Sequence, residues 1–530
     1  MGKTGFVYYP HTAIILLLLY AACNFYCITR LSVTGDEANY YNYGINILKN
    51  RPQKELLNGV PEYNSQLPII ALNALSRAIP QLFHPGMKHS FQQTLMDVTA
   101  GRIFSVLSAL ALALFVLVWS TKLYGQKAGI FSLVLYTLCP NILAHSQLVG
   151  TDVYSFLLCT ATSYYAWQFN RLKQVRYLLL AAVALGIGQI TKQSLLLLYP
   201  VIVFFLGMSL YQSCMPFSKK VCLFARQIIV ILLVSGIIIN AGFLFYKTGK
   251  PAGEYHFVSA KFKSLQQQFS FAGKIPLPLP EPYVAGFDYV AFNAETPPGI
   301  NGLSSYGSGY FLGQPVTGKL IWYYYAVCFF FKLPIPFMLF FFASLMAYFI
   351  NRSKFHFIQN EIFLLLPAAF IFILFSLFNP MYLGIKNLLL VLPLLFIFCG
   401  SLLNNFILLK CKLTVIITGS LLLWELVSVG AYFPHFLPYT NEFITNKKNA
   451  YKVLGDANIY FQEGRLLANQ YLNKHPDIQF EPEKKTTGKV MVSLETYFDY
   501  WHEGKMQWLR DLHIEPTGHF DSQYLIFTVP

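Results

Sequence analysis

Asp36 and Glu37 stand side by side in "SVTGDEANYY", a few residues beyond a long apolar run. A carboxylate that close to a membrane is costly unless it sits in water, pairs with a cation or does chemistry. Asp152, in "HSQLVGTDVY", poses the same question a second time. Cations recur beside or inside other apolar runs: Arg102, Lys192 in "GQITKQSLLLLYP", Lys332 in "FFFKLPIP" and Lys386 in "MYLGIKNLLLVLP". Carboxylates and cations gathered at one membrane surface suit the transfer of a group from a lipid-linked phosphate. The carboxylate takes a proton from the acceptor, and the cations stabilise the charge growing on the departing phosphate.

The elements that hold these residues are read from hydropathy. Of 530 residues 55% are hydrophobic and only 12% charged, about half the charge of a typical soluble domain. Apolar stretches of spanning length fall at about 12–29, 103–121, 128–146, 153–170, 177–191, 194–211, 227–246, 327–350, 361–378, 386–406 and 413–431. The expected fold class is therefore mainly α, a polytopic membrane protein of about eleven helices. With the amino terminus inside, alternate loops hold Lys3; Lys122 and Lys127; Arg171, Lys173 and Arg176; Lys219, Lys220 and Arg226; Arg352 and Lys354; Lys410 and Lys412. Glu361 is the one acid in those loops, so basic loops lie inside and the carboxyl terminus outside. The net charge of +15 is thus a matter of topology and gives no sign of a nucleic-acid partner.

Three polar segments face outward. Residues 30–102 and 247–326 are outer loops of a membrane domain at 1–431, and residues 432–530 form a soluble tail. The tail contains the helix-like "EGRLLANQYLNKH" and the alternating "SQYLIFTVP", so a small α/β region is expected there. The nine cysteines all precede residue 412 and avoid these outer segments, and no disulfide framework is expected. The sequon Asn351-Arg352-Ser353 falls in an inner loop. Together these features point to a bacterial inner membrane.

The stretches "GDEANYY", "AHSQLVGTDVY", "TKQSLLLLYP", "YFLGQPVTGKLIWYYYAVCFFFKLPIP" and "LLLVLPLLFIFCG" occur in this order. They resemble the dolichyl-phosphate-mannose–protein mannosyltransferase-like family of C-type membrane glycosyltransferases, which includes the lipid A aminoarabinose transferases. "GDANIYFQEGRLLANQYL" carries the resemblance into the tail. It implies transfer of a sugar from a polyprenyl phosphate, with inversion, on the side away from the cytoplasm. It further implies Asp36 as the base, with Glu37 and Asp152 assisting. The chain departs from the family at "NSQLP", where many members have Pro-Pro-Leu, at Lys386, where Arg is usual, and at "YFQE", where the tail usually has Asp-Trp-Gly-Gln.

Plainer roles stand beside these. Asp36 and Asp152 could each cap a helix, and Glu37 could serve as a first-turn acid. Arg102, Lys192 and Lys386 could snorkel; for Lys332, deeper in an apolar run, anion binding or an acid partner is favoured. His145 reads as a polar interface residue, since no second His stands at ligand spacing. The expected donor-phosphate ligands are Lys192, Lys332, Arg102 and Lys386. The expected partners are a polyprenyl-phosphate-linked sugar, a protein or glycolipid acceptor, and membrane lipids. No cofactor follows from the residues, and a divalent metal stays open. A transporter or lipid flippase is the rival function, and a binding subunit working through its tail is a third.

Overall fold

The computed structural model describes residues 10–53, 56–57, 60–61, 67–83, 91–295, 308–317, 319–350, 355–404, 412–499 and 504–530. Lys3, Arg352, Lys354, Lys410, the sequon and residues 64–66 of "NSQLP" lie outside them.

The chain is mainly helical. From the amino terminus run α1 (Pro10–Ile28), α2 (Gly35–Leu48), α3 (Ala71–Phe83), α4 (Phe91–Tyr124), α5 (Gln126–Thr137) and α6 (Pro140–Ser146). Next come α7 (Asp152–Leu172), α8 (Val175–Gln189), α9 (Leu198–Tyr211) and α10 (Phe217–Gly242). The second long polar loop carries α11 (Ala260–Gln268) and α12 (Glu281–Glu295). Then follow α13 (Tyr324–Lys332), α14 (Ile335–Ile350), α15 (Ile362–Phe378), α16 (Leu392–Cys399) and α17 (Lys412–Gly430).

Five of these stretches are helical, long and apolar enough to cross a membrane, or up to seven if each of two bent pairs counts as one span. The bent pairs are α5–α6, turned by 66°, and α13–α14, turned by 113°. Pro140 opens α6 at the first bend. At the second, Leu333 before Pro334 turns extended, with φ −98° and ψ 143°, as a residue ahead of proline prefers. The remaining expected spans fall on shorter helices and on α7. That helix is buried on all sides, its polar Ser155, Thr160, Thr162, Ser163 and Gln168 included. It packs against α4, α8, α9 and α15 and forms the axis of the bundle.

Helix α4 starts twelve residues before the expected span at 103. Its 34 residues make a rod of roughly 50 Å at about 1.5 Å per residue, well beyond the ~30 Å hydrocarbon core. The extra turns precede the apolar stretch and lead to Arg102.

In the tail, α18 (Arg465–Lys474) covers a four-stranded sheet made of β5 (Ile478–Phe480), β6 (Gly488–Ser493), β7 (Gly518–Phe520) and β8 (Tyr524–Val529). The order is β5-β6-β8-β7, with β5 and β6 parallel and the other pairs antiparallel. Ala468 of α18 packs on Ile478, Met491, Tyr524 and Ile526. Two small hairpins decorate the two long polar loops: β1 (Leu56–Leu57) with β2 (Val60–Pro61), and β3 (Ser308–Phe311) with β4 (Gln314–Thr317). The eight described cysteines are free thiols.

Candidate active site

Thr34 starts α2. Its hydroxyl accepts from the Glu37 N–H at 3.1 Å, and the Glu37 carboxylate accepts from the Thr34 N–H at 3.0 Å. This reciprocal pair satisfies two of the amides that a helix start leaves open. Asp36 is therefore not the cap. It stands in the first turn, exposed, with no hydrogen bond or ion pair among the described residues.

Glu37 and Arg102, expected respectively as an assisting acid and a phosphate ligand, are instead partners. Arg102 Nε donates to Glu37 Oε1 at 2.8 Å and Nη2 donates to Oε2 at 2.6 Å. The other N–H groups reach the carbonyls of Ile28, Leu31 and Ser32 at 3.0, 3.0 and 2.6 Å. A guanidinium has five N–H donors, and all five are used. Glu37 Oε1 also accepts from the Val149 N–H at 2.8 Å. Both side chains are sealed, at 1% and 0% exposure, so neither has an atom left for substrate. They position others: the clamp fastens the start of α2 to α4 and to the loop that leads into Asp152.

Asp152 is likewise no cap, since it is the first residue of α7 and Thr151 precedes it without a side-chain bond. Its Oδ1 accepts from Lys192 Nζ at 2.6 Å, and Oδ2 lies 3.0 Å from His145 Nδ1. Lys386 lies close enough to act on the Asp152 charge as well. The Lys386 ammonium sits over the Phe461 ring, 4.7 Å from its centroid, and has no hydrogen bond or ion pair among the described residues. Its backbone is held from two sides. Gly384, at φ +70°, donates to Tyr324 Oη, and the Ile385 N–H donates to Asn458 Oδ1, each at 2.9 Å. A Cβ on Gly384 would meet Asn458 Oδ1 at 2.9 Å, so both space and φ require glycine there.

Lys332 corrects a further expectation. It is buried at the α13–α14 bend, where its ammonium donates to the carbonyls of Leu437 and Asn458, both at 2.6 Å. It binds the tail and is enclosed there, with two of its three N–H donors taken by these carbonyls.

The tail also contributes. Phe461 lies under Lys386; a Cβ on Gly35 would stand 3.7 Å from Gln462 Oε1; and the Glu463 carbonyl accepts from the Ser32 N–H at 2.9 Å. The Leu466 N–H donates back to Ser32 Oγ at 2.6 Å. Asp152, Lys192 and Lys386 thus lie near one another, while the tail reaches Lys386 through Phe461 and Gly35, the neighbour of Asp36, through Gln462.

Glu463 is buried, and burial pushes its carboxyl up to about 7 despite the nearby His435. His435 Nδ1 faces Asp521 Oδ2 at 2.5 Å. Burial alone would lower His435, but Asp521 holds it above its ordinary value, while burial also raises Asp521. Among the described residues no three His, Cys, Asp or Glu side chains are grouped to hold a metal ion.

His145, Gln462 and Glu463 were not expected at the site. His145 lies seven residues before Asp152, a spacing that means nothing until the α6–α7 turn folds it back. "YFQE" was noted only as a departure.

Residues 91–240 match the family model described as dolichyl-phosphate-mannose-protein mannosyltransferase. No curated protein matches the chain. Among solved structures, apo ArnT of Cupriavidus metallidurans aligns with TM-score 0.47 and 12% identity over 79% of this chain and 63% of its own. The same protein bound to undecaprenyl phosphate aligns at 0.47 and 11% over 97% of each chain. The apo oligosaccharyltransferase of Archaeoglobus fulgidus gives 0.47 and 13%, over 81% of this chain and 55% of its own. The chain thus spans less than two thirds of the first and third of these. Over residues 91–240, the segment holding Arg102, His145, Asp152 and Lys192 but not Asp36, the resemblance to the dolichyl-phosphate-mannose-protein mannosyltransferase family is shown.

Proposed function

We propose that this protein is a membrane glycosyltransferase that moves a sugar from a polyprenyl-phosphate donor to an acceptor on the non-cytoplasmic side. The observation that carries the reading is Asp36, an exposed carboxylate without a partner among the described residues, in a chain that also brings together an Asp152–Lys192 pair and a Lys386 unpaired among those residues. In this reading the acceptor hydroxyl gives its proton to Asp36 as its oxygen attacks the anomeric carbon. The bond from that carbon to the phosphate oxygen breaks, with inversion, and the phosphate leaves with the electron pair. Lys386 meets the growing negative charge first, and Lys192 shares itself between phosphate and Asp152. Asp152 keeps Lys192 and His145 in place. Residues 1–431 carry the reaction, and residues 432–530 wall the site from outside through Phe461 and Gln462. The acceptor is a protein, lipid A or a surface glycan, and the setting is a bacterial inner membrane.

The test is sugar transfer from a polyprenyl-phosphate donor by purified protein. Asp36→Asn leaves the Thr34–Glu37 cap untouched and should fold and insert normally. Losing a general base lowers the rate by about 100- to 10,000-fold. Transfer within about threefold of the parent would remove Asp36 as the base.

A further inference from the structure

Helix α7 separates two charged regions. Asp152 is at its first residue, and Arg171 and Lys173 are at its last turn and just beyond. Its 21 residues put about 30 Å between them, at ~1.5 Å per residue. At the far end lies a cavity of about 510 Å³ between α4, α7, α9 and the start of α15. Lys122, Arg171 and Lys173 line it together with Asn170, Ser209 and Asn360, and no Asp or Glu takes part. The nearest acid in sequence, Glu361, is buried and accepts from Tyr124 Oη at 3.2 Å.

Basic loops on a cytoplasmic face are expected of any such protein, but they are ordinarily free to move. Here each cation is held. Lys122 Nζ donates to Tyr164 Oη at 2.6 Å, and Gln168 Nε2 donates to the same oxygen at 2.9 Å. Lys173, in the left-handed region at φ 53°, donates to Asn170 Oδ1 at 3.1 Å and to Ser209 Oγ. The Arg171 guanidinium lies 5.6 Å from the Trp167 ring centroid, and Trp167 Nε1 is fixed by Asn360 Oδ1 at 3.1 Å. An ammonium has three N–H donors and a guanidinium five. Lys122 keeps two of its donors, Lys173 keeps one, and the guanidinium donors of Arg171 are unengaged among the described residues.

We propose that this cavity is a second, separate binding site for a phosphate group, on the membrane face opposite the transfer site. Convergent, pre-aimed cations without a carboxylate among them suit a phosphate anion. Basic pockets between helices on the cytoplasmic side are suited to anionic headgroups. The phosphate belongs either to an inner-leaflet lipid or to a soluble compound.

Native mass spectrometry of the purified full chain in detergent tests this, with phosphatidylglycerol, phosphatidylcholine or inorganic phosphate added at constant ionic strength. The parent should retain phosphatidylglycerol or phosphate, and the Lys122→Gln/Arg171→Gln double variant should retain about tenfold less. Both positions are exposed, so folding should survive, and Lys122→Arg, which keeps the charge, should bind like the parent. Phosphatidylglycerol that inorganic phosphate does not displace assigns a lipid headgroup, and phosphate that the lipid does not displace assigns a soluble ligand. Equal retention by parent and double variant, or retention of phosphatidylcholine equal to phosphatidylglycerol with no phosphate bound, overturns the proposal.

Discussion

Arg102 uses all five N–H groups inside the protein, and that decides what substituting it would do. Lysine there would keep the charge but lose the two-pronged grip on Glu37 and leave carbonyls of residues 28–32 unmet. Leaving a buried polar group unsatisfied costs about 1–3 kcal/mol. Arg102→Lys should therefore lower the thermal midpoint in detergent by several degrees, while the folded fraction binds donor as the parent does. A normal midpoint with weakened donor binding would restore Arg102 to the phosphate. The charge of Arg102 and its place near the membrane were legible in the sequence. Its partner was not, because Glu37 lies 65 residues away and only packing joins them. Asp36 was legible as a candidate because it is an acid just beyond an apolar run and because of the family resemblance; among the described residues no neighbour claims it.

Hydropathy placed eleven spans, and helices stand at those places because burial in lipid imposes one simple pattern, but only five to seven of them are long and apolar enough to cross a membrane. It missed the early start of α4, since those turns rise above the apolar stretch, and it hid the 113° bend inside one apolar run. The turn at residues 384–387 is the element that positions Lys386, the proposed donor-phosphate ligand. Gly384→Ala would force φ +70° on a residue with a Cβ and drive that Cβ into Asn458. Such strain costs about 1–3 kcal/mol and displaces Lys386, so donor KM should rise more than Asp36-dependent proton transfer falls; an unchanged KM would separate Lys386 from the phosphate. The tail element carries a pH dependence. Glu463, Asp521 and His435 all hold their protons more tightly in the folded state. Stability from such groups is complete below the unfolded values and fades as pH rises through the folded ones. For Glu463 the window runs from about 4.5 to about 7, a loss of up to about 3 kcal/mol. The thermal midpoint should fall between pH 5 and 8, and Glu463→Gln should flatten that slope. A parallel slope in the variant would place the titration elsewhere.

At the scale of the whole molecule the basic loops predict orientation. Reporter fusions at residues 215 and 440 should read inside and outside respectively, and identical readings would overturn both the topology and the side assigned to transfer. The division at residue 431 was legible as a change of composition, yet the fold does not respect it. One apolar core runs from Ala13 through the helices to Val529. Asn441 binds back to the carbonyls of Phe330 and Leu333, and the Leu312 N–H donates to the Val453 carbonyl. The Lys332 ammonium gives these ties an order in time. Its acceptors are carbonyls of residues 437 and 458, which leave the ribosome more than a hundred residues after it. Without those segments the Lys332 ammonium has no carbonyl partner at the α13–α14 bend, and a bare cation within an apolar run is expensive in a bilayer. A chain cut short before residue 437 lacks both acceptors and keeps that cost, so the final hundred residues complete the membrane domain itself.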